Sequence, residues 1–170
     1  GGEKVRSQKG MLARTPSITL LGFVRLADEI RPDAPDIINY FYANDITPVI
    51  ISGDDLTAVT TIATAVGLHD PHGLDLSAVK TPNYKSLVKG YNIFTRVKPA
   101  QKKQLVNALQ KQGRTVAMTG DGVNDIPALK AADCSIAMAS GSEAASQVAQ
   151  LVLMDSDFSK MPNVVLEGRR

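Results

Sequence analysis

From Ser17 onward, short apolar runs rich in Val, Ile and Leu alternate with amphipathic stretches. This is the pattern of strands alternating with helices, and so of an α/β fold with a largely parallel sheet. The runs predict strands at Ile18–Leu26, Thr47–Ser52, Asn92–Thr95, Thr115–Thr119, Ser135–Met138 and Leu151–Met154. Between them the spacing predicts helices at Pro35–Ala43, Leu56–Val66, Pro99–Gln112, Asn124–Ala132, Ser142–Ala149 and Met161–Gly168, several opened by Pro, Asp, Asn or Ser. His69–Lys89 holds Pro71, Gly73, Pro82 and Tyr84 with weak periodicity, and reads as an irregular connection with a helical turn or two. There is no internal repeat. Residues 1–17 read as a linker and 18–170 as one domain; the basic N-terminal residues are not followed by a secretory apolar core.

Composition narrows the class. With 44% hydrophobic and 21% charged residues, the chain has apolar surface for one globular core, which excludes a disordered or rod-like protein. Nineteen Lys and Arg against seventeen Asp and Glu leave a net charge of +2, too small for a phosphate-neutralising face, so nucleic acid is not an expected partner. The single cysteine, Cys134, forms no internal disulfide; it fits a reducing compartment and reads as a buried filler. No apolar run approaches the roughly 18–20 residues that a membrane helix needs.

Three junctions gather polar residues where a predicted strand ends and a helix begins, the crevice in which open α/β sheets place their ligands. In Ile51-Ser52-Gly53-Asp54-Asp55, a hydroxyl, a flexible glycine and the N–H groups of a helix start suit phosphate oxygens. Simple helix capping by Ser52, Asp54 or Asp55 is the alternative. In Thr119-Gly120-Asp121-Gly122-Val123-Asn124-Asp125, two carboxylates and an amide crowd one glycine-spaced turn, the hard-oxygen setting that suits Mg²⁺. A solvated turn with Asn124 as a cap is the bland reading. In Arg96-Val97-Lys98-Pro99-Ala100-Gln101-Lys102-Lys103, Pro99 opens a helix. Lys102 shares its stripe with Leu105, Val106 and Leu109 and so points inward, whereas Lys103 falls on the polar face with Asn107 and Gln110. An inward ammonium needs an anionic partner unless it snorkels. His69 and His72 form an H-x-x-H with no evident third ligand.

In this order, the three places resemble the P-type cation-transporting ATPases of the haloacid dehalogenase superfamily. The signature T-G-D-G-V-N-D-x-P-A-L-K stands intact at Thr119–Lys130; Ser52-Gly53-Asp54 resembles the family's T/S-G-D, and Arg96-Val97-Lys98-Pro99 through Lys102 its R-V-x-P-x-x-K. The resemblance runs from about residue 18 to the end. It implies a Rossmann-like three-layer sandwich and the C-terminal part of the phosphorylation domain, with residues 1–17 a linker or a remnant of the nucleotide-binding domain. It further implies Asp121 as a Mg²⁺ ligand, Lys102 and Asn124 on the transferred phosphoryl group, and Asp125 holding Lys102 and the metal. Ser52, Gly53, Asp54 and Arg96 would line the phosphate and nucleotide side, with ATP as substrate. The parent would be a bacterial plasma-membrane pump with this part on the cytosolic face, its transported cation passing through membrane helices elsewhere. Two departures stand out: Asp55 where the family usually has Asn, and Asp28-Glu29-Ile30-Arg31 in place of D-P-P-R.

The family's nucleophile is the Asp of D-K-T-G-T, a string this sequence does not contain. The resemblance places that strand at the centre of the sheet, between the strand ending in Ser52 and the one ending in Thr119, so a gap is expected there. The rest of the pump chain, a rearranged segment such as Ile18–Leu26, or a second copy would fill it. An apolar strand followed by Asp155-Ser156-Asp157-Phe158-Ser159 imitates the D-x-D motif of soluble phosphatases, but it follows the metal-binding turn instead of preceding S-G-D. The competing readings are therefore a free-standing phosphatase using Asp155 and a non-enzymatic Mg²⁺- or nucleotide-binding module. By the leading reading, the isolated chain is inactive.

Overall fold

The layering is set by two consecutive residues of one short strand. In the computed structural model, which describes residues 30–155 and 157–168, strand β3 (Ile93–Thr95) is buried at every position. Successive strand residues face opposite ways. Ile93 packs against Val59 and Ala63 of helix α2 (Leu56–Ala65) and against Leu68. Phe94 packs on the other face with Val88 of α3 (Tyr84–Gly90) and with Leu105, Ala108 and Leu109 of α4 (Pro99–Gln110). Helices therefore cover both faces, giving the expected three layers.

Strand β3 is the middle of a parallel three-stranded sheet, with β1 (Ile50–Ile51) on one side and β2 (Gly73–Asp75) on the other. A second parallel sheet runs β4 (Ala117–Gly120), β5 (Cys134–Met138), β6 (Leu151–Leu153). Ile136 of β5 packs against Ile37 and Phe41 of α1 (Ala34–Ala43) and Met161 of α7 (Met161–Gly168). The next residue, Ala137, is fully buried as well, so this sheet too is covered on both faces, α5 (Ile126–Leu129) lying on β4 and α6 (Glu143–Val148) on β5.

Strand β1 ends the first sheet and β4 ends the second. Among the described residues no strand lies between them, and each leaves one row of backbone groups unpaired. An open row of this kind is a template for a further strand.

Several expectations shift. The connection over His69–Lys89 contains β2 and α3. Strand β2 is only three residues long and opens on Gly73, where a Cβ would stand 2.4 Å from the Leu56 side chain; so short and glycine-led a segment carries no alternation to read. Helix α3 starts at Asn83, whose side chain accepts the Ser86 N–H at 3.4 Å. The helix expected at Asn124–Ala132 begins as a 3-10 turn over Val123–Asp125 and becomes α-helical only at Ile126. Cys134 is half-buried at the margin of the α1/α7 cluster and is not a core filler. The strand predicted at Ile18–Leu26, Asp28-Glu29 and the 1–17 linker lie outside the described residues.

Candidate functional site

A cavity of about 350 Å³ opens between the free edges of β1 and β4. Ile51, Ser52 and Gly53 line it from the first sheet; Met118, Thr119, Gly120 and Asp121 line it from the second. Lys102 and Asp125 complete the polar wall. The two strand ends, Ile51 and Gly120, thus present their polar exits to one space, as parallel strands with ligand crevices at their carboxyl ends should.

Helix α4 delivers Lys102. Pro99 occupies its first turn, and the Gln101 side-chain oxygen accepts the Lys98 N–H at 2.9 Å, fixing the start of the helix. Leu105, Val106 and Leu109 are buried, which commits the stripe carrying Lys102 to the interior, while Lys103 is exposed. The Lys102 ammonium donates to Asp125 at 2.6 Å, and only 13% and 10% of the two side chains are exposed. The other Asp125 oxygen accepts the Gly122 N–H at 3.3 Å. Asp125 fits there because Gly120 has no side chain: a Cβ on Gly120 would stand 2.6 Å from the Asp125 Cβ. A buried pair of this kind holds its charges at fixed positions, and removing either partner strands the other.

Asp121 differs in every respect. It is exposed, and its carboxylate makes no hydrogen bond or ion pair with a described residue. Among the described residues no group of three or more His, Cys, Asp or Glu side chains converges to hold a metal. A divalent ion at Asp121 would therefore take one or two protein carboxylates and complete its shell with water and substrate oxygens, which is the habit of Mg²⁺. The H-x-x-H pair gathers no ligand set: His69 stacks on Tyr42 at 3.7 Å, and His72 lies 3.6 Å from the Asp70 carboxylate.

At the first junction the residues divide their work. Asp55 caps α2, accepting the Ala58 N–H at 3.0 Å. The Ser52 hydroxyl donates to Asp54 at 2.9 Å and accepts the Asp54 N–H at 3.1 Å. Asn124 sits exposed in the 3-10 turn beside Asp125, without capping a helix and outside the cavity wall. Arg96 is also outside that wall. It takes a positive φ of 51°, a strained choice for a non-glycine residue, and its N–H donates to the Asp54 carbonyl at 3.2 Å. Its charge acts on Asp75, whose carboxyl is held below the usual range first by the hydrogen bonds from Ser77 and then by Arg96.

Phe158 and Met138 also line the cavity, and nothing in the sequence pattern singled them out. The Phe158 ring packs edge-on against Phe41 at 6.1 Å. Beside it, Asp157 accepts from Arg31 at 2.6 Å. Its carboxyl is lowered to about 2 by hydrogen bonds from Ser159 and then by Arg31. Asp155 follows β6, which β5 separates from β4, and it is not part of the cavity wall. A larger groove of about 690 Å³ along α2 is lined by threonines and small apolar residues and carries no charged side chain.

Comparison with known proteins gives a consistent picture. The haloacid dehalogenase-like hydrolase family matches residues 4–133. The calcium-transporting ATPase CtpE of Mycobacterium bovis is 44% identical over 155 residues, 90% of this chain and 19% of that protein. The probable cation-transporting ATPase exp7 of Streptococcus pneumoniae is 43% identical over 154 residues, 90% of this chain and 20% of that protein. The chain thus spans about a fifth of the length of the curated relatives it matches. Among solved structures, the catalytic domain of the CPx-ATPase CopB-B shares the fold, with a TM-score of 0.65 and 24% identity, covering 82% of this chain and 46% of that one. A zinc-transporting PIB-type ATPase in its E2.Pi state gives a TM-score of 0.62 at 28% identity, over 82% of this chain and 19% of that one. No helix of the described residues is long and apolar enough to cross a membrane.

Proposed function

The chain belongs to the haloacid dehalogenase-like hydrolases, and from that membership we propose that it is the phosphoryl-transfer part of an ATP-driven cation pump. In this reading ATP phosphorylates an aspartate outside these 170 residues, carried on a strand that enters between β1 and β4. The observation that carries the reading is the Lys102–Asp125 pair in the cavity between those two free strand edges. The rest of the pump chain supplies the strand.

The chemistry asked of these residues is positioning and charge neutralisation. The incoming carboxylate is already ionised, so it needs no general base. One of its oxygens forms the bond to the γ-phosphorus while the bond to the bridging oxygen breaks, and ADP leaves. Lys102 places a fixed positive charge against the phosphoryl oxygens, and Asp125 keeps that charge aimed. Ser52 offers a hydroxyl, with Gly53 keeping the backbone close. Mg²⁺, held by Asp121, supplies further neutralisation of the phosphate charge. Asn124, which is exposed, contacts the phosphoryl group once substrate is bound, while Asp54 orients the Ser52 hydroxyl and, with Arg96, lies on the nucleotide side.

The parent is a membrane protein with this part on the cytosolic face of a bacterial plasma membrane. Calcium is the ion named for the 44% identical relative; selectivity would reside in membrane helices outside these residues. Phosphorylation with γ-labelled ATP in the native full-length protein tests the proposal. An acid-stable, hydroxylamine-labile phosphoprotein that requires Mg²⁺ and Lys102 is expected, and its absence would refute it.

A further inference from the structure

The turn after β5 contains a glycine that its own backbone does not require. Gly141 is not among the described residues with positive φ, so its conformation is open to any amino acid. The obstacle to a side chain there is Asp121. A Cβ on Gly141 would stand 2.4 Å from the Asp121 carbonyl oxygen, 2.8 Å from its Cα and 2.9 Å from its Cβ. None of these atoms is the far end of a flexible side chain, so no rotamer change relieves the clash. The next residue holds Asp121 from the same side: the Ser142 N–H donates to the Asp121 carbonyl at 2.6 Å.

The turn is anchored at both ends. The Gly141 N–H donates to the Met138 carbonyl at the end of β5 at 2.9 Å. The Ser142 hydroxyl accepts the Ala145 N–H at 3.1 Å, and Ala145 is fully buried. Asp121, whose carboxylate has no side-chain partner among the described residues, is thus fixed through its main chain by the exit turn of the neighbouring strand.

The geometry points to Gly141 and Ser142 as positioning residues for the carboxylate of Asp121, setting its affinity for a hard divalent cation. This rests on the reading of Asp121 as the Mg²⁺ ligand. Mg²⁺ tolerates little departure from ideal oxygen placement, and among the described residues the main chain is what places this exposed carboxylate. Displacing that backbone by a few tenths of an ångström changes the site without touching a ligand atom.

Mn²⁺ binding to the 170-residue chain, followed by electron paramagnetic resonance with circular dichroism as the check on folding, tests the inference. Asp121→Asn and Gly141→Ala should each weaken Mn²⁺ binding about tenfold or more. Gly90→Ala, which adds a Cβ that meets nothing within 4 Å, should leave the affinity unchanged. A loss in Asp121→Asn with none in folded Gly141→Ala overturns the positioning role and leaves the ligand assignment standing. No loss in Asp121→Asn overturns both. Should Gly141→Ala fail to fold, amide exchange in the unmodified chain decides: Mg²⁺ slows exchange of the Ser142 N–H if the role is correct, and an unmoved rate rejects it.

Discussion

The ammonium of Lys102 and the carboxylate of Asp125 lie 2.6 Å apart, nearly enclosed, between two sheet edges that no described strand joins. Enclosure makes the pair costly to break: removing one partner of such a pair typically destabilises by about 3 kcal/mol or more. Lys102→Ala should therefore lower the thermal midpoint and remove phosphoenzyme formation by orders of magnitude, whereas Lys103→Ala on the exposed face should do neither. The apolar double variant Lys102→Met with Asp125→Leu should recover much of the stability and none of the phosphorylation. Recovery of both would make the pair purely structural.

Among the described residues Asp121 has no side-chain partner to lose. Asp121→Asn should leave the stability within about 0.5 kcal/mol of the unmodified protein and yet lower Mg²⁺-dependent phosphorylation by orders of magnitude, through loss of the ligand charge. Parallel melting curves and phosphoenzyme assays separate the two effects. Undiminished phosphorylation would remove Asp121 from the mechanism.

The Asp157 carboxyl is lowered from 3.8 to about 2 by Ser159 and Arg31. A carboxyl with a depressed folded-state pKa contributes stability that is fully present above its unfolded value and is lost as pH falls through the folded one. The stability difference between the unmodified chain and Asp157→Asn should therefore be constant above pH about 5 and shrink from about 4 to about 2. Denaturant midpoints measured across that range check it. A difference that grew on acidification would contradict the sign.

Asp155 lies at the far edge of the second sheet, away from the cavity. The chain alone should not hydrolyse an aryl phosphate, and Asp155→Asn should leave phosphorylation of the full-length protein unchanged. Phosphatase activity abolished by Asp155→Asn would restore the free-standing phosphatase reading.

Much of this architecture was legible in the residues. The stripe shared by Lys102, Leu105, Val106 and Leu109 gave the inward lysine, because helical spacing and hydrophobic burial act on the same few residues. The glycine-spaced acidic turn located Asp121 and Asp125, but not their difference: Asp125 is buried against Lys102 and Asp121 is exposed, a distinction made by Gly120 and by the approach of helix α4. Strand β2 was hidden because its pairing with β3 is tertiary and its three residues hold no pattern of their own. Phe158 joined the cavity through its contact with Phe41, 117 residues away in sequence. Arg96 had the right neighbours in sequence, yet the chain turns through a positive φ there and its charge acts on Asp75.

Whether this cavity receives an aspartate from outside the chain is decided by where the phosphoryl group is attached. The full-length protein is phosphorylated with ATP, the acyl phosphate is trapped by borohydride reduction, and the modified residue is mapped by mass spectrometry. A single modified aspartate outside residues 1–170, lost in Lys102→Ala, is expected. A modified residue within the chain, at Asp155 or elsewhere, would contradict it.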